Sequence, residues 1–346
     1  MSQSDQGSGA HCSSAQEICR IFVQGLFYSA ESDKIIIQGE KQSVIYNEKG
    51  DCIMSEKRRR RFGDRKEGRK IRSLDPINTM SAYIMKDRVG STNYIRDSVE
   101  ISKVEKYIIK KRKEGLKGFG MLHILIATYV RTVSQMPGIN RFIGGQKIYA
   151  RNNIEICLAI KKEMTLDAME TIIKIECDPS DTVYEIYEKL KKEIETNRAE
   201  GDISSFDSTA RFLNYIPGLL MKFVMVILRI MDYLDLLPRF LTKLSPFHGS
   251  LFITSMGSLG IPPIFHHLYD FGNVPLFMAY GTKRRAYELQ KDGTVAERRY
   301  IDYTVSSDER ICDGFYFASA MKFFKDIFKK PEILDNPPEV VIEDID

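Results

Sequence analysis

Few side chains in this sequence have the type and spacing that catalysis or metal binding requires. His266 and His267 are adjacent, so their rings point in different directions in a helix or a strand, and one of them could act as a base. His123 falls within a helical pattern and His248 within a loop, and neither has a second ligand at a spacing typical of a metal site. The sequence therefore predicts no metal, and the histidine pair is either a candidate base or a hydrogen-bonded structural element.

Cysteine spacing indicates neither a disulfide framework nor a zinc site. The cysteines are scattered without a CxxC pair, which is typical of a reduced compartment, and we expect a cytoplasmic protein. Cys312 precedes Asp313, whose carboxylate would raise the pKa of the thiol, so Cys312 is interpreted as a packing residue and not as a nucleophile. The full set is Cys12, Cys19, Cys52, Cys157, Cys177 and Cys312.

The composition is typical of a chain that folds around its own hydrophobic core. With 346 residues, 43% of them hydrophobic, it has the length for one or two domains. The formal net charge of +4 is too small to indicate a nucleic-acid partner by itself. No basic segment followed by an apolar one opens the sequence, and charged residues interrupt its most apolar region, residues 212–238. Neither a secretory signal nor a membrane span is therefore expected.

Positive charge is concentrated in residues 57–72, which contain ten Lys or Arg against Asp64 and Glu67. We expect this basic run to dock on an acidic surface of its own chain or of a neighbouring subunit. Residues 332–346 offer such a surface, with six acidic residues and no basic one. The alternative is an arm that binds nucleic acid or an anionic membrane. Residues 1–72 are predicted to form a poorly ordered N-terminal extension.

Hydrophobic spacing beyond residue 73 predicts alternating helices and strands, and no internal repeat or glycine-rich phosphate loop is present. Helices are predicted over residues 77–89, 102–113, 118–136, 181–197 and 315–329, with one long or two broken amphipathic helices within 210–244. Strands are predicted over residues 91–101, 146–150, 154–161, 250–254, 274–280, 286–289 and 298–305, with a hairpin turn at 291–293.

Four segments in order resemble the catalytic core of the 2-oxoacid dehydrogenase acyltransferases (dihydrolipoamide acyltransferases) and, more distantly, chloramphenicol acetyltransferase. They are Met-Pro-Gly-Ile-Asn-Arg at 136–141 with the two strands that follow, Phe-Ile-Thr-Ser-Met-Gly-Ser-Leu-Gly at 252–260, Met-Ala-Tyr-Gly at 278–281, and Asp-Glu-Arg-Ile-Cys-Asp-Gly at 308–314. The resemblance implies an α/β (α+β) fold, with a chloramphenicol acetyltransferase-like mixed sheet flanked by helices. It also implies a homotrimer with active sites between subunits.

The resemblance implies acyl transfer from the thiol of coenzyme A, with a His as general base and a hydroxyl that stabilises the oxyanion. Here Glu309 stands at the His position, Thr254 at the hydroxyl position, and Asp313 at the supporting carboxylate. A carboxylate lies about 4 pKa units below a thiol, so it is a poorer base unless burial raises its pKa. The alternative is that Glu309 pairs with an arginine and does no chemistry.

The expected function is narrowed by a missing domain and by a segment that departs from the family pattern. Nothing in residues 1–72 resembles a lipoyl domain. We therefore expect the protein to use acyl-CoA directly, with a small-molecule acceptor that the sequence does not identify. The acyltransferase-like domain is predicted over residues 73–331, and an acidic tail follows at 332–346. The domain departs from the family pattern over residues 178–246. There an apolar stripe, residues 212–230, is predicted to be core or trimer contact, with a membrane surface as the alternative. A catalytically inactive binding or scaffolding trimer is the alternative function.

Overall fold

The structure is a computed structural model with two compact units, Met1–Ser55 and Glu56–Asp346. The residues it describes are 35–39, 42–46, 52–54, 60–161, 170–199 and 217–346. The first unit contains an antiparallel sheet of strands β1 (Ile35–Gly39), β2 (Gln42–Tyr46) and β3 (Cys52–Met54). Strand β4 (Gly68–Lys70) belongs to the second unit, where it pairs with another strand of that unit.

The second unit combines strands and helices, as the sequence predicts. Its strands are β4, β5 (Thr92–Glu100), β6 (Arg141–Gly144), β7 (Lys147–Arg151), β8 (Ile154–Lys161), β9 (Glu170–Cys177), β10 (Leu251–Ser255), β11 (Leu276–Leu289) and β12 (Val295–Asp308). Its helices are α1 (Pro76–Ile84), α2 (Ser102–Lys113), α3 (Met121–Gln135), α4 (Val183–Ala199), α5 (Gly218–Tyr233), α6 (Arg239–Leu244) and α7 (Gly314–Lys329).

A six-stranded sheet in the order β5-β12-β11-β10-β8-β9 forms the centre of this unit. Strand β10 is parallel to both of its neighbours, β8 and β11, whereas the other pairs are antiparallel. A smaller sheet contains β4, β7 and β6. The predicted α/β class, a mixed sheet flanked by helices, is confirmed.

The two faces of the main sheet are buried by different parts of the chain. Leu251 and Ile253 of β10 point to the face on which α2, α3, α4 and α7 pack. Phe252 points to the opposite face, where its ring stacks on Phe277 at 4.7 Å beneath the connection between β10 and β11. Because side chains alternate along a strand, this assignment also fixes the face on which every polar residue of β10 lies.

Several predicted elements differ from the observed ones. Helix α1 ends at Ile84 and not at residue 89. The strands predicted at 274–280 and 286–289 are one strand, β11, with an irregularity between Tyr280 and Lys283. The outer halves of β11 and β12 are mostly solvent-exposed and pair with each other, so they lack the alternation that identifies a half-buried strand. The region 210–244 contains two helices, α5 and α6, within its described part.

Helix α5 is apolar but contributes no buried residue. The interpretation of the apolar stripe as core is therefore wrong for α5, since Leu219, Phe223 and Ile230 are all more than half exposed. Contact with a second copy or with a membrane surface stays a prediction. No helix in the described part of the chain is long and apolar enough to cross a membrane.

The end of the basic run docks on the acidic C-terminal stretch, as the sequence predicts. Arg61 forms an ion pair with Asp346 at 2.7 Å, and Arg69 donates to the backbone oxygens of Asp344 and Ile345. Arg141 at the start of β6 binds the Asp344 carboxylate through Nε and Nη2, at 2.7 and 2.6 Å, and both side chains are less than a tenth exposed. The C-terminal stretch is thus packed against the body of the unit.

Replacing Asp344 by Asn is expected to lower the free energy of unfolding by about 3 kcal/mol, because the buried Arg141 guanidinium loses its counter-charge. Urea unfolding at neutral pH measures this change. The matched control is Glu343→Gln, since Glu343 is exposed and makes no ion pair within the described residues. The control should change stability by less than about 0.5 kcal/mol, and equal losses in both variants would contradict the prediction.

Candidate functional site

The turn between β12 and α7 carries two of the predicted site residues. Strand β12 ends at Asp308, a short 3-10 turn covers Glu309–Ile311, and α7 begins at Gly314. The Asp313 carboxylate accepts a hydrogen bond from the Tyr316 backbone N–H at 2.8 Å, which makes Asp313 the N-cap of α7. No arginine lies within ion-pair distance of Asp313 in the described part of the chain. Asp313 therefore positions the start of α7.

A buried ion pair fixes the same turn. The Asp308 carboxylate accepts from Nε and Nη2 of Arg310 at 2.8 and 2.7 Å, and the two side chains are 1% and 3% exposed. Ser91 Oγ donates to Asp308 at 3.0 Å, and Arg88 Nε lies 3.8 Å from the same carboxylate. Burial lowers the pKa of Arg88, and the charge of Asp308 opposes that effect.

These two arginines also connect the turn to the rest of the unit. Arg310 donates to the backbone oxygen of Met85, just after α1, at 2.9 Å. Arg88 donates to the backbone oxygen of Tyr269, in the connection between β10 and β11, at 2.8 Å. Since the Glu309 backbone N–H also binds the Ser91 oxygen at 2.9 Å, the position of Glu309 is set by groups from three parts of the chain.

Glu309 itself is exposed, and its carboxylate has no hydrogen-bond or ion-pair partner within the described ranges. The predicted alternative, a pairing of Glu309 with an arginine, does not occur there, because the neighbouring Arg310 binds Asp308 instead. Glu309 borders a cavity of about 370 Å³ between β5 and α7. Its carboxylate is thus free to meet a ligand at the mouth of that cavity.

The cavity has an apolar floor and a charged rim. Ile95, Phe317 and Met321 form the floor. At the rim, Lys325 forms an ion pair with Asp97 at 2.8 Å, whereas Lys322 is exposed and has no carboxylate within 4.0 Å in the described segments. The remaining lining residues are Asn93, Ser307, Asp308, Cys312, Gly314 and Ala318.

Cys312 lies beside this cavity, where burial raises the pKa of its thiol to about 12. It packs against both the main core and a smaller apolar cluster around Ile143 and Ile148. At neutral pH the group is a thiol and not a thiolate, which agrees with its interpretation as a packing residue.

Thr254 lies near the end of β10, opposite Ala279 of β11. It shares a sheet face with Phe252 and not with the helices, and its hydroxyl has no hydrogen-bond partner within the described residues. The turn that follows requires Gly257, because a Cβ there would lie 2.5 Å from the backbone oxygen of Gly281. The turn begins after Ser255, and Thr254 is half-buried.

The structure does not bring Thr254 and Glu309 together within one chain. Thr254 pairs with Ala279, and Ala279 pairs with Thr304. Strand β12 runs antiparallel to β10, so Glu309 lies five residues beyond Thr304 toward the opposite end of the sheet. With about 3.3 Å per residue and 4.8 Å per strand, the two side chains are roughly 20 Å apart. A site that uses both must therefore be shared between two copies.

The two adjacent histidines occupy different environments. The His266 ring stacks on Phe277 at 4.2 Å, and Ser306 Oγ donates to the His266 backbone oxygen. His266 Nε2 is buried without a partner, and burial, followed by the nearby His267, lowers the pKa of the ring. His267 is exposed. Because Phe277 lies two residues before Ala279, the partner of Thr254, His266 packs on the sheet face that Thr254 occupies.

The other two histidines of the described chain have structural partners. The His123 ring accepts from the Gly120 N–H at 3.2 Å, and burial lowers the pKa of His123 to about 4. His248 lies between Ser245 Oγ at 2.9 Å and Asp232 at 3.4 Å. No group of three or more His, Cys, Asp or Glu side chains in the described ranges could hold a metal ion.

Comparisons with known proteins found solved structures only. No family model matches the chain, and no curated protein does. The probable dihydrolipoamide acetyltransferase from Listeria monocytogenes is 14% identical with a TM-score of 0.49, and the match covers 76% of this chain and 95% of that chain. The cubic core of the pyruvate dehydrogenase multienzyme complex is 13% identical (TM-score 0.44, 75% and 88% covered). A chloramphenicol acetyltransferase is 10% identical (TM-score 0.44, 75% and 99% covered).

The Asp308→Asn variant is expected to lose about 3 to 5 kcal/mol of unfolding free energy, because the buried Arg310 is left without its counter-charge. Asp313→Ala provides the contrast, since loss of a helix N-cap costs only about 1 kcal/mol. Urea unfolding of both variants tests the assignment. A smaller loss for Asp308→Asn than for Asp313→Ala would show that the ion pair does not hold the turn.

Proposed function

We propose that this protein is a CoA-dependent acyltransferase, cytoplasmic and trimeric, that transfers an acyl group from acyl-CoA to a small-molecule acceptor. The observation that carries the proposal is the Glu309 carboxylate, which has no partner within the described residues and lies at the mouth of an apolar cavity. The turn that carries it is held by the buried ion pair between Asp308 and Arg310. Glu309 stands at the position that corresponds to the catalytic His in the family that the sequence resembles. The acyl group and the acceptor are not specified by the described residues.

In this reaction Glu309 of one copy takes the proton of the attacking acceptor group. The acceptor attacks the thioester carbonyl, and the hydroxyl of Thr254 from a second copy donates to the oxyanion that forms. Collapse of the tetrahedral intermediate releases the CoA thiolate, which takes up the proton. Asp313 supports the base by capping α7, whose first turn lines the cavity beside Glu309.

Assembly would also improve Glu309 as a base. In the single chain its carboxylate is exposed, so water stabilises the charged form. Covering the cavity mouth with a second copy would remove that water, which strengthens the interaction of the carboxylate with the proton of the acceptor. The roughly 20 Å between Thr254 and Glu309 of one chain therefore supports a site between copies.

The cavity accommodates only part of coenzyme A. Its volume of about 370 Å³ is near the lower end for small-molecule sites, which suits an acyl group and a pantetheine arm. The nucleotide would remain outside, where the unpaired Lys322 ammonium is available for a phosphate. The proposed donor is acyl-CoA itself, and no lipoyl group on this chain takes part.

His266 is the rival base for the same reaction. It lies on the sheet face of Thr254, its Nε2 has no partner, and burial lowers its pKa, so that the neutral imidazole is present at pH 7. If His266 takes the proton, the reaction does not need Glu309 as a base. The two assignments lead to opposite results in mutant kinetics.

A binding or scaffolding role is the second candidate function. The observation in its favour is the glutamate itself, because a carboxylate is a weaker base than imidazole toward a thiol. Such a protein would keep the cavity and its ligand without turnover. Calorimetry and thiol release together distinguish the two functions.

Calorimetric titration with CoA and acetyl-CoA is expected to give micromolar binding, and thiol release from acetyl-CoA should fall by about 100-fold or more in Glu309→Gln, as for loss of a general base. Glu332→Gln is the matched control, since Glu332 is exposed and outside the cavity. Binding without thiol release supports the scaffold, whereas absence of binding overturns the acyltransferase.

His266→Asn and His267→Asn test the rival base. If Glu309 is the base, both variants should keep thiol release within about threefold of the parent protein, because neither ring then takes the proton. A loss of 100-fold or more in His266→Asn alone, with Glu309→Gln active, would transfer the role to His266. The exposed His267 controls for the general effect of altering this connection.

A further inference from the structure

Helix α5 presents a continuous apolar surface to solvent. Leu219, Phe223 and Ile230 are 84%, 62% and 54% exposed. Apart from Tyr233, the exposed large apolar side chains of α5 and of the residue after it are Leu219, Leu220, Phe223, Val226, Ile227, Ile230 and Leu234. Exposed apolar patches of this kind mark interaction sites in soluble proteins.

These residues lie along one side of the helix. At about 100° per residue, the set spans an arc of roughly 120°, from Val226 at one edge to Leu220 at the other. Met221, Val224 and Leu228 are half-buried and lie on the opposite side. Lys222 and Arg229, seven residues apart, lie together just outside the Val226 edge of the arc. An apolar arc with cations at its border is the arrangement of a helix that lies in a membrane interface.

The cations of this region have no acidic partners. Lys222 and Arg229 of α5 and Arg239 and Lys243 of α6 are exposed, and no carboxylate of the described chain lies within ion-pair distance of them. Asp232 pairs with Arg65 and His248, and Asp235 pairs with Arg60. Asp87 and Asp270 line a cavity together with Arg229 but form no ion pair with it. Among the described residues, the region therefore presents four exposed cations without an ion pair on the two helices that include the apolar arc.

The polar contacts of α5 lie at its C-terminal end. Arg65 donates to the backbone oxygen of Tyr233, and Lys66 Nζ donates to that of Leu237 at 2.9 Å. Together with the ion pair between Arg65 and Asp232, these bonds attach one end of the helix to the unit while the apolar arc stays exposed. Binding at that arc requires no rearrangement of the described contacts.

We propose that α5, continued by α6, binds the surface of an anionic membrane. The apolar arc enters the boundary between headgroups and acyl chains, and the four cations contact anionic headgroups. An interface with a second copy fits less well, because lysine is depleted in the centres of protein interfaces. This inference concerns a surface that does not contain Glu309 or Thr254, so it does not depend on the acyltransferase proposal.

Sedimentation of the full chain with lipid vesicles tests the proposal. The protein should pellet with vesicles that contain phosphatidylglycerol and much less with phosphatidylcholine alone, and added salt should weaken binding.

The double variant Phe223→Asp/Ile230→Asp should reduce vesicle binding by about tenfold or more. Lys222→Gln and Arg229→Gln should each reduce it by about fivefold. Leu289→Asp, at an exposed apolar site near the β11–β12 turn, should leave binding unchanged.

Three outcomes would overturn the proposal. Unchanged vesicle binding in the Phe223→Asp/Ile230→Asp variant would assign binding to another part of the chain, such as the basic run at 57–72, which this variant keeps. A change in its molecular mass by light scattering would assign the arc to contact between copies. A lower urea midpoint for the variant than for Leu289→Asp would show that the arc is covered within the chain.

Discussion

The structure of the candidate site depends on one buried carboxylate. Asp308 lies at the end of β12 with Arg310 and Arg88 around it, and each of these arginines binds a backbone oxygen elsewhere in the unit. The charges of Asp232 and Asp270 also act on Arg88. The remaining N–H groups of the two arginines bind backbone carbonyls, which are the acceptors that buried donors require. The same bonds that stabilise the charges hold the sheet, the end of α1 and the β10–β11 connection in one arrangement.

In that arrangement the backbone of Glu309 is held in place while its side chain stays exposed. The side chains flanking Glu309 in sequence are buried and hydrogen-bonded, whereas Glu309 is exposed and has no partner in the described part of the chain. A rigid backbone under a free carboxylate loses little conformational entropy when a ligand binds. The antiparallel entry of β12 beside β11 places this carboxylate at one end of the sheet and the Thr254 hydroxyl at the other. The separation of these two groups is a property of strand direction and not of any single residue.

Local sequence patterns predicted the elements well and the site less well. Helix α2 begins and ends where its periodicity predicts, because its apolar face packs on the sheet and neighbouring polar residues face water. The pairing of Asp308 with Arg310 is a short-range contact that the sequence contains, but Arg88 comes from over 200 residues away in the chain. The distance between Thr254 and Glu309 follows from strand order and register, which side-chain periodicity does not determine. The exposure of α5 has the same origin, since an apolar pattern predicts a buried surface without specifying what buries it.

The contact between Arg141 and Asp344 has a consequence for the order of folding. The two residues are 203 positions apart, and the parallel pairing of β8 with β10 also joins distant segments. Contacts between distant parts of a chain form slowly, because the loop must be closed before they contribute free energy. A ribosome therefore exposes Arg141 and strand β8 well before their partners are synthesised. During that interval the nascent chain presents an unpaired strand edge and an unneutralised cation, and chaperone contact is most useful there.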